Sequence, residues 1–351
     1  MKDITREELC AVIEGRAEGR DIPVPLMYDI WTSPAVFGER EEEMRAFLQQ
    51  MPRAVEFVHA MMPDSRPDEP EYTWGKRIDT GEKGIDSAVI IEDWEDEEAV
   101  EKFYANFPDP EYPRLIPAEF SPKPEKYVLG HWWRTLFERH WAIRGMENAL
   151  TDYYLYPEQV HRLFARLVEY YSRLFERLHE EAGCDGIFIS DDIGTQTGPF
   201  FSVEVFREFF KPYYKQLIDK AHSLGMHYWL HACGDIEAFL EDFIEIGLDV
   251  VHPIQRHTAM DTKPIAETYG SRICILAGFD VQQTIPFGTP EEVRAEVRYL
   301  MDTYARPEGR FMLTMGNGST PDWKPEAIKA LYDESMHYVP AQLRRKQGGI
   351  I

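Results

Sequence analysis

The sequence predicts an α/β fold: a (β/α)8 barrel (TIM barrel) carrying an N-terminal α-rich extension. Three observations predict it. From about residue 145, short apolar runs alternate with amphipathic helices in five consecutive strand–helix units, and alternation at this pitch implies parallel strands with right-handed crossovers. Polar side chains gather just after the strand ends, which suits the C-terminal rim of a barrel, where one pocket sees every loop. No Gly-x-Gly-x-x-Gly follows a strand, which disfavours an open dinucleotide-binding sheet.

The elements follow in order. Residues 1–126 are rich in Pro and charge, as in Met62-Pro63-Asp64-Ser65-Arg66-Pro67 and Phe107-Pro108-Asp109-Pro110, and each X-Pro step disfavours helix at the residue before it. Helices are expected at 40–60 and 96–105, and a strand at 87–92. A long amphipathic helix spans 157–181, with Val160, Leu163, Phe164, Leu167, Tyr171, Leu174 and Leu178 at helical spacing and Gly183 ending it. The apolar run 186–190 reads as a buried strand. Next come a helix at 203–224, a strand at 227–231, a helix at 236–246 and a strand at 249–252. The pattern continues with helix 264–269, strand 273–277, helix 290–304, strand 311–315 and a last helix at 325–338. Residues 1–85 are expected to pack as an extension on a barrel of residues 86–345, the whole forming one structural unit.

The 351 residues carry 38 Lys+Arg against 62 Asp+Glu, a net charge of −24. Nucleic acid and anionic membranes both require a basic face, so neither is an expected partner. No window reaches the roughly 18 apolar residues of a membrane helix, and the N-terminus shows no secretory apolar stretch. Four cysteines without framework spacing are expected to be reduced thiols in a cytoplasmic protein. A homodimer is the expected assembly.

Candidate chemistry sits at the strand ends. In His231-Ala232-Cys233-Gly234 an imidazole and a thiol two residues apart face one spot, as zinc ligands would; a buried cysteine beside a hydrogen-bonded histidine is the other reading. Asp191-Asp192 can ligate metal or act in acid–base catalysis; alternatively one caps a turn while the other faces water. His252 and Gln255 follow the next strand, where either can complete a metal shell or contact substrate. Asp280 ends the strand after that and can orient a ligand or only its loop. In Gly316-Asn317-Gly318, two glycines allow backbone to approach a ligand closely. The aromatic stretch containing Trp132, Trp133, Phe137, Trp141 and Tyr153 either lines a pocket for a flat substrate or packs as core.

These residues resemble the uroporphyrinogen decarboxylase superfamily. The resemblance is carried by Ile91-Glu92-Asp93-Trp94 with Pro108-Asp109-Pro110, by Gly198-Pro199-Phe200-Phe201-Ser202 with Phe206 to Tyr214, and by Gly278-Phe279-Asp280 with Gly288-Thr289-Pro290-Glu291 and the glycine turn at 316–318. It implies the (β/α)8 barrel with its site at the C-terminal face. The decarboxylase branch carries an arginine-bearing N-terminal signature, which is absent from Pro25-Leu26-Met27-Tyr28-Asp29-Ile30-Trp31, and a histidine where Asn317 stands. His231-x-Cys233-Gly234 instead is similar to the branch of cobamide-dependent methyltransferases, whose His and Cys bind zinc. That branch also places a cysteine where this chain has Asn317, so Asp191, Asp192 or His252 would have to complete the shell. The resemblance thus implies zinc held by His231, Cys233 and His252 or an aspartate. Asp191, Asp192 and Asp280 would be the catalytic groups. Tyr28, Gln255 and Asn317 would contact substrate, and Gly316 and Gly318 the cofactor. The implied reaction moves a methyl group between a small methylated donor, such as a methyl ether in O-demethylation, and a free cobamide (a corrinoid such as cobalamin) or a corrinoid protein. A metal-free decarboxylase-like lyase and a non-catalytic tetrapyrrole-binding module are the alternatives.

Overall fold

The apolar runs read as strands fold as strands. A computed structural model of the chain describes residues 3–63, 74, 78–82, 84–117, 125–256 and 258–344. The strands are β1 (Leu26–Met27), β2 (Val55–Ala60), β3 (Ile78–Asp79), β4 (Ala88–Val89), β5 (Leu115–Pro117), β6 (Tyr127–Trp132), β7 (Gly186–Ser190), β8 (His227–His231), β9 (Val250–Gln255), β10 (Cys274–Phe279) and β11 (Phe311–Met315). The helices are α1 (Arg6–Ile13), α2 (Glu41–Leu48), α3 (Glu97–Ala105), α4 (Phe137–Arg144), α5 (Met146–Leu155), α6 (Pro157–Ala182), α7 (Val203–Val205), α8 (Lys211–Ser223), α9 (Glu237–Glu245), α10 (Thr262–Tyr269), α11 (Thr284–Phe287), α12 (Pro290–Tyr304) and α13 (Pro325–His337). Among the described residues no helix is long and apolar enough to cross a membrane.

The chain divides into two compact units. One comprises Met1–Val55, Lys123–Tyr127 and Asp249–Ile351. In it β9, β10 and β11 pair in parallel, and β1 adds to β11 through Leu26↔Leu313. A strand of this sheet therefore comes from within residues 1–85. Val297 and Leu300 of α12 and Ile328 and Leu331 of α13 are buried with the strand residues Ile275, Leu276, Met312 and Leu313. Full burial of each such side chain stabilises by about 1.5–3 kcal/mol.

The other unit comprises Glu56–Pro122 and Val128–Leu248. Here β6, β7 and β8 pair in parallel, while β2 pairs with β5 and β3 with β4 in antiparallel fashion. Both units thus show the parallel, helix-connected strands that the alternation predicts. Gly130, in the middle of β6, has a packing reason: a Cβ there would lie 2.8 Å from Cδ1 of Leu178 on α6.

Three expectations in this region change. The helix expected at 40–60 ends at Leu48, and Val55–Ala60 is a strand; Pro52 cannot continue the helical ladder. The strand expected at 87–92 shrinks to Ala88–Val89. The helix expected at 203–224 is interrupted by a π-helical turn at Phe206–Phe210, after which α8 starts afresh with Pro212 in its first turn. Pro212 has no N–H to give the carbonyl of Glu208. The wider turn accommodates that loss, with Lys211 N–H reaching back to the Phe206 carbonyl, and it buries Phe206, Phe209 and Phe210 together.

Candidate metal centre

Strand register assembles the site. β7 and β8 run in parallel with Ser190 opposite His231. Side chains alternate along a strand, so two residues further on Asp192 and Cys233 emerge side by side. The Cys233 backbone N–H donates to Asp192 Oδ1 at 2.8 Å. Cys233 Sγ lies 3.2 Å from His231 Nε2, which lies 3.4 Å from Asp192 Oδ1. One oxygen, one nitrogen and one sulfur thus fall within 4.8 Å of one another. Among the described residues, this is the one group of three His, Cys, Asp or Glu side chains whose ligand atoms converge in this way. His231 is buried, whereas Asp192 and Cys233 are half-buried and reachable. Burial pushes the His231 pKa down, with the Asp192 charge opposing, so the ring is neutral, as a metal ligand must be.

The glycine of the motif has a conformational task. Gly234 has φ +86°, and a Cβ there would sit 2.5 Å from the Gly194 carbonyl carbon and 2.6 Å from the Thr195 oxygen. The loops after β7 and β8 therefore touch backbone to backbone, and Asp235 N–H donates to the Thr195 carbonyl at 2.7 Å.

The two aspartates divide their work by the same alternation. Asp191 points away from the ligand group and is wholly buried. Its Oδ2 accepts the Leu136 and Phe137 N–H groups at 3.0 Å each and the Tyr214 hydroxyl at 2.6 Å, and its Oδ1 accepts the Glu138 N–H at 2.8 Å. It thereby satisfies the orphan amides at the start of α4. Burial nevertheless pushes its pKa up to about 6 against these bonds. The structure gives Asp191 an anchoring task and leaves Asp192 alone of the pair with the ligand group.

Behind Asp192 lies Glu138, buried on α4, which accepts a hydrogen bond from Ser190 Oγ. Burial first, then the Asp192 and Asp191 charges, raise its pKa to about 8, so it stays protonated at neutral pH and adds no second charge beside Asp192. Beyond His231, the Trp133 ring stands perpendicular to it at 5.6 Å and to the His131 ring at 4.4 Å. His131 donates from Nδ1 to the Phe188 carbonyl at 2.8 Å, and burial drives its pKa down to about 3.

The other candidate residues lie in the unit that carries β9 to β11. His252 places Nε2 3.0 Å from the Met315 carbonyl and stacks on Trp31 with ring centroids 5.0 Å apart; it is not a member of the converging group. Asp280 caps the turn into α11, accepting the Gln282 and Thr284 N–H groups at 2.9 Å each. Gln255 donates to the Gly316 carbonyl at 2.9 Å. Tyr28 is buried, shares a 2.9 Å hydrogen bond with Ser335, and has its pKa raised chiefly by burial. Asn317 is exposed and accepts the Gly318 N–H at 2.7 Å, and a Cβ at Gly318 would meet no heavy atom within 4 Å. His257, in the same strand-end cluster of the sequence, lies outside the described residues.

A family model described as uroporphyrinogen decarboxylase (URO-D) matches residues 141–338, more than half of the chain. The chain belongs to the uroporphyrinogen decarboxylase family. A methylated-thiol–coenzyme M methyltransferase of Methanosarcina mazei is 26% identical over 159 residues, covering 44% of this chain and 40% of that protein. A uroporphyrinogen decarboxylase of Methylococcus capsulatus is 27% identical over 113 residues, covering 32% of this chain and 28% of that protein. The matched region therefore spans less than half the length of these curated relatives. A solved methyltransferase structure from Methanosarcina mazei aligns with a TM-score of 0.49 at 19% identity, covering 61% of this chain and 59% of that one.

For a member of this family, Glu138 and His131 are the site neighbours that sequence reasoning missed. Glu138 sits in an ordinary helical stretch, Phe137-Glu138-Arg139-His140, and nothing local marks it. His131 and Trp133 stand two apart like His231 and Cys233, a signal that would have been usable had Tyr127–Trp132 been read as a strand.

Proposed function

We propose that this chain is a zinc-dependent methyltransferase that moves a methyl group between a small donor of methyl-ether type and a corrinoid, carried on a partner protein or free. The observation that carries this reading is the Asp192–His231–Cys233 group. Its donor set suits Zn²⁺: one thiolate, one neutral imidazole and one carboxylate are all ordinary zinc ligands, and three protein ligands leave a position for substrate. Asp192 would supply the third ligand, a role for which Asn317 is poorly suited. The methyltransferase relative and the family's His-x-Cys-Gly resemblance support the same reading.

Zinc held there would supply a Lewis acid to the oxygen of the methyl donor. One thiolate and one carboxylate leave that acid stronger than a thiolate-rich set would, which favours an ether oxygen over a thiol acceptor. The residues provide the rest. Asp192 fixes the Cys233 backbone through the 2.8 Å bond, Asp191 clamps the strand end from the other side, and protonated Glu138 keeps the local charge low. The test is methyl transfer from a methyl ether to cob(I)alamin, followed by the visible spectrum of methylcobalamin. Formation that requires Cys233 and Asp192 supports the proposal. Conversion of uroporphyrinogen to coproporphyrinogen with no methyl transfer would replace it with the decarboxylase reading.

A further inference from the structure

We infer that Trp133 is the stacking residue for a planar aromatic ring in the ligand of the Asp192–His231–Cys233 site, so that the donor is an aryl ether rather than an aliphatic one. The substrate chemistry rests on the methyltransferase reading; the binding claim does not.

The argument begins with register. β6 pairs with β7 through Trp132↔Ile189, and β7 with β8 through Ser190↔His231. One step beyond β6, Trp133 is therefore level with Ser190 and, past it, with His231. Ser190, the residue between them in register, is small, and the Trp133 and His231 rings meet edge to face at 5.6 Å. Trp132, pointing the other way, is buried and stacks on Tyr171. Trp133 by contrast is 45% exposed although it contacts two imidazoles. His59 extends the same row, 5.3 Å from His131. The result is a row of four rings, His59, His131, Trp133 and His231, ending at a metal-type ligand.

A second observation concerns the backbone. Arg134, the next residue, has φ +68°, a left-handed conformation that a long side chain adopts only when its surroundings impose it. Those surroundings are visible. Arg134 N–H donates to Ser190 Oγ at 3.3 Å, the Tyr171 hydroxyl donates to the Arg134 carbonyl at 3.0 Å, and Thr135 Oγ1 donates to the Ser190 carbonyl at 2.9 Å. The strained turn is thus tied to the end of β7 that also carries Asp192. An exposed indole held rigidly beside a ligand group is preorganised to receive a flat partner at small entropic cost. An aromatic ring gains from the indole quadrupole, whereas a saturated ring of similar size gains none.

The experiment compares methoxybenzene with methoxycyclohexane, two methyl ethers that differ in ring planarity. Binding to the zinc-loaded protein is measured by calorimetry, without turnover. Wild type is expected to prefer methoxybenzene roughly two- to tenfold, the range of one aromatic pair. Trp133→Leu should abolish the preference and Trp133→Phe should keep most of it, both with wild-type circular dichroism and zinc content. Equal binding of the two ethers by wild type, no binding of either at millimolar concentration, or a preference that survives in Trp133→Leu would overturn the inference. A preference without methyl transfer to cob(I)alamin would sink the proposed reaction and leave the stacking role standing.

Discussion

Replacing Asp191 by alanine and, separately, Asp192 by asparagine separates two roles that adjacent residues hold. Asp191→Ala orphans four buried donors: the N–H groups of Leu136, Phe137 and Glu138 and the Tyr214 hydroxyl. At ~2 kcal/mol for each orphan, the gross loss is about 8 kcal/mol. Burial has lifted the carboxyl from 3.8 to about 6, so deleting it relieves about 3 kcal/mol at pH 7 at ~1.4 kcal/mol per unit. The expected net destabilisation is about 5 kcal/mol, at the top of the range for one substitution. Asp192 has a side chain 35% exposed, and asparagine can still accept the Cys233 N–H, so Asp192→Asn should cost less than ~1 kcal/mol. Urea unfolding of chelator-treated protein reads the stabilities, and metal analysis of dialysed protein reads zinc. Asp191→Ala should lose stability yet bind zinc when folded, and Asp192→Asn the reverse. An Asp191→Ala protein within ~1 kcal/mol of wild type, or full zinc in Asp192→Asn, would refute the division of labour.

Three further outcomes follow from the same geometry. His131, with a native pKa of about 3 against the ordinary 6.5, stays unprotonated where the unfolded chain takes up a proton; its stabilisation is therefore complete above pH 6.5 and lost as pH falls towards 3. Between pH 7 and 5 the wild type should lose about 2 kcal/mol that His131→Asn does not lose, read from urea midpoints at both pH values. Gly234→Ala forces a Cβ into the Gly194–Thr195 backbone at φ +86°, so thermal unfolding should show a loss above ~1 kcal/mol and zinc affinity should fall with it. Asp280→Ala removes the acceptor of the Gln282 and Thr284 N–H groups in the turn before α11 and should cost about 1 kcal/mol in the same assay while zinc content stays at the wild-type level; a loss of zinc there would restore Asp280 to the site.

The regular part of the fold was legible because its signals are local. Gly186–Ser190 and His227–His231 each have three consecutive apolar or aromatic residues at the centre, lie between amphipathic helices, and are strands. β6 and β2 were not legible. Tyr127–Trp132 carries a glycine whose reason is the distant Leu178, and in Val55–Ala60 the polar Glu56 and His59 interrupt the apolar residues. The interruption at Phe206–Phe210 was signalled by Pro212, but a proline does not reveal which turn will widen. In the site, the two-residue spacing of His231 and Cys233 was readable from strand periodicity. The choice of Asp192 over Asp191 was not, since it depends on which face of β7 packs against α4. Glu138 was invisible because its neighbourhood is created by Ser190, 52 residues away in sequence.

The central claim is that Asp192, His231 and Cys233 hold a zinc ion. Metal analysis of protein purified without chelator tests it most directly, with His231→Ala and Cys233→Ser alongside. The account predicts about one zinc per wild-type chain and its loss from both variants, each with unchanged circular dichroism. Zinc-free wild-type protein, or zinc retained at wild-type level by both variants, would contradict it.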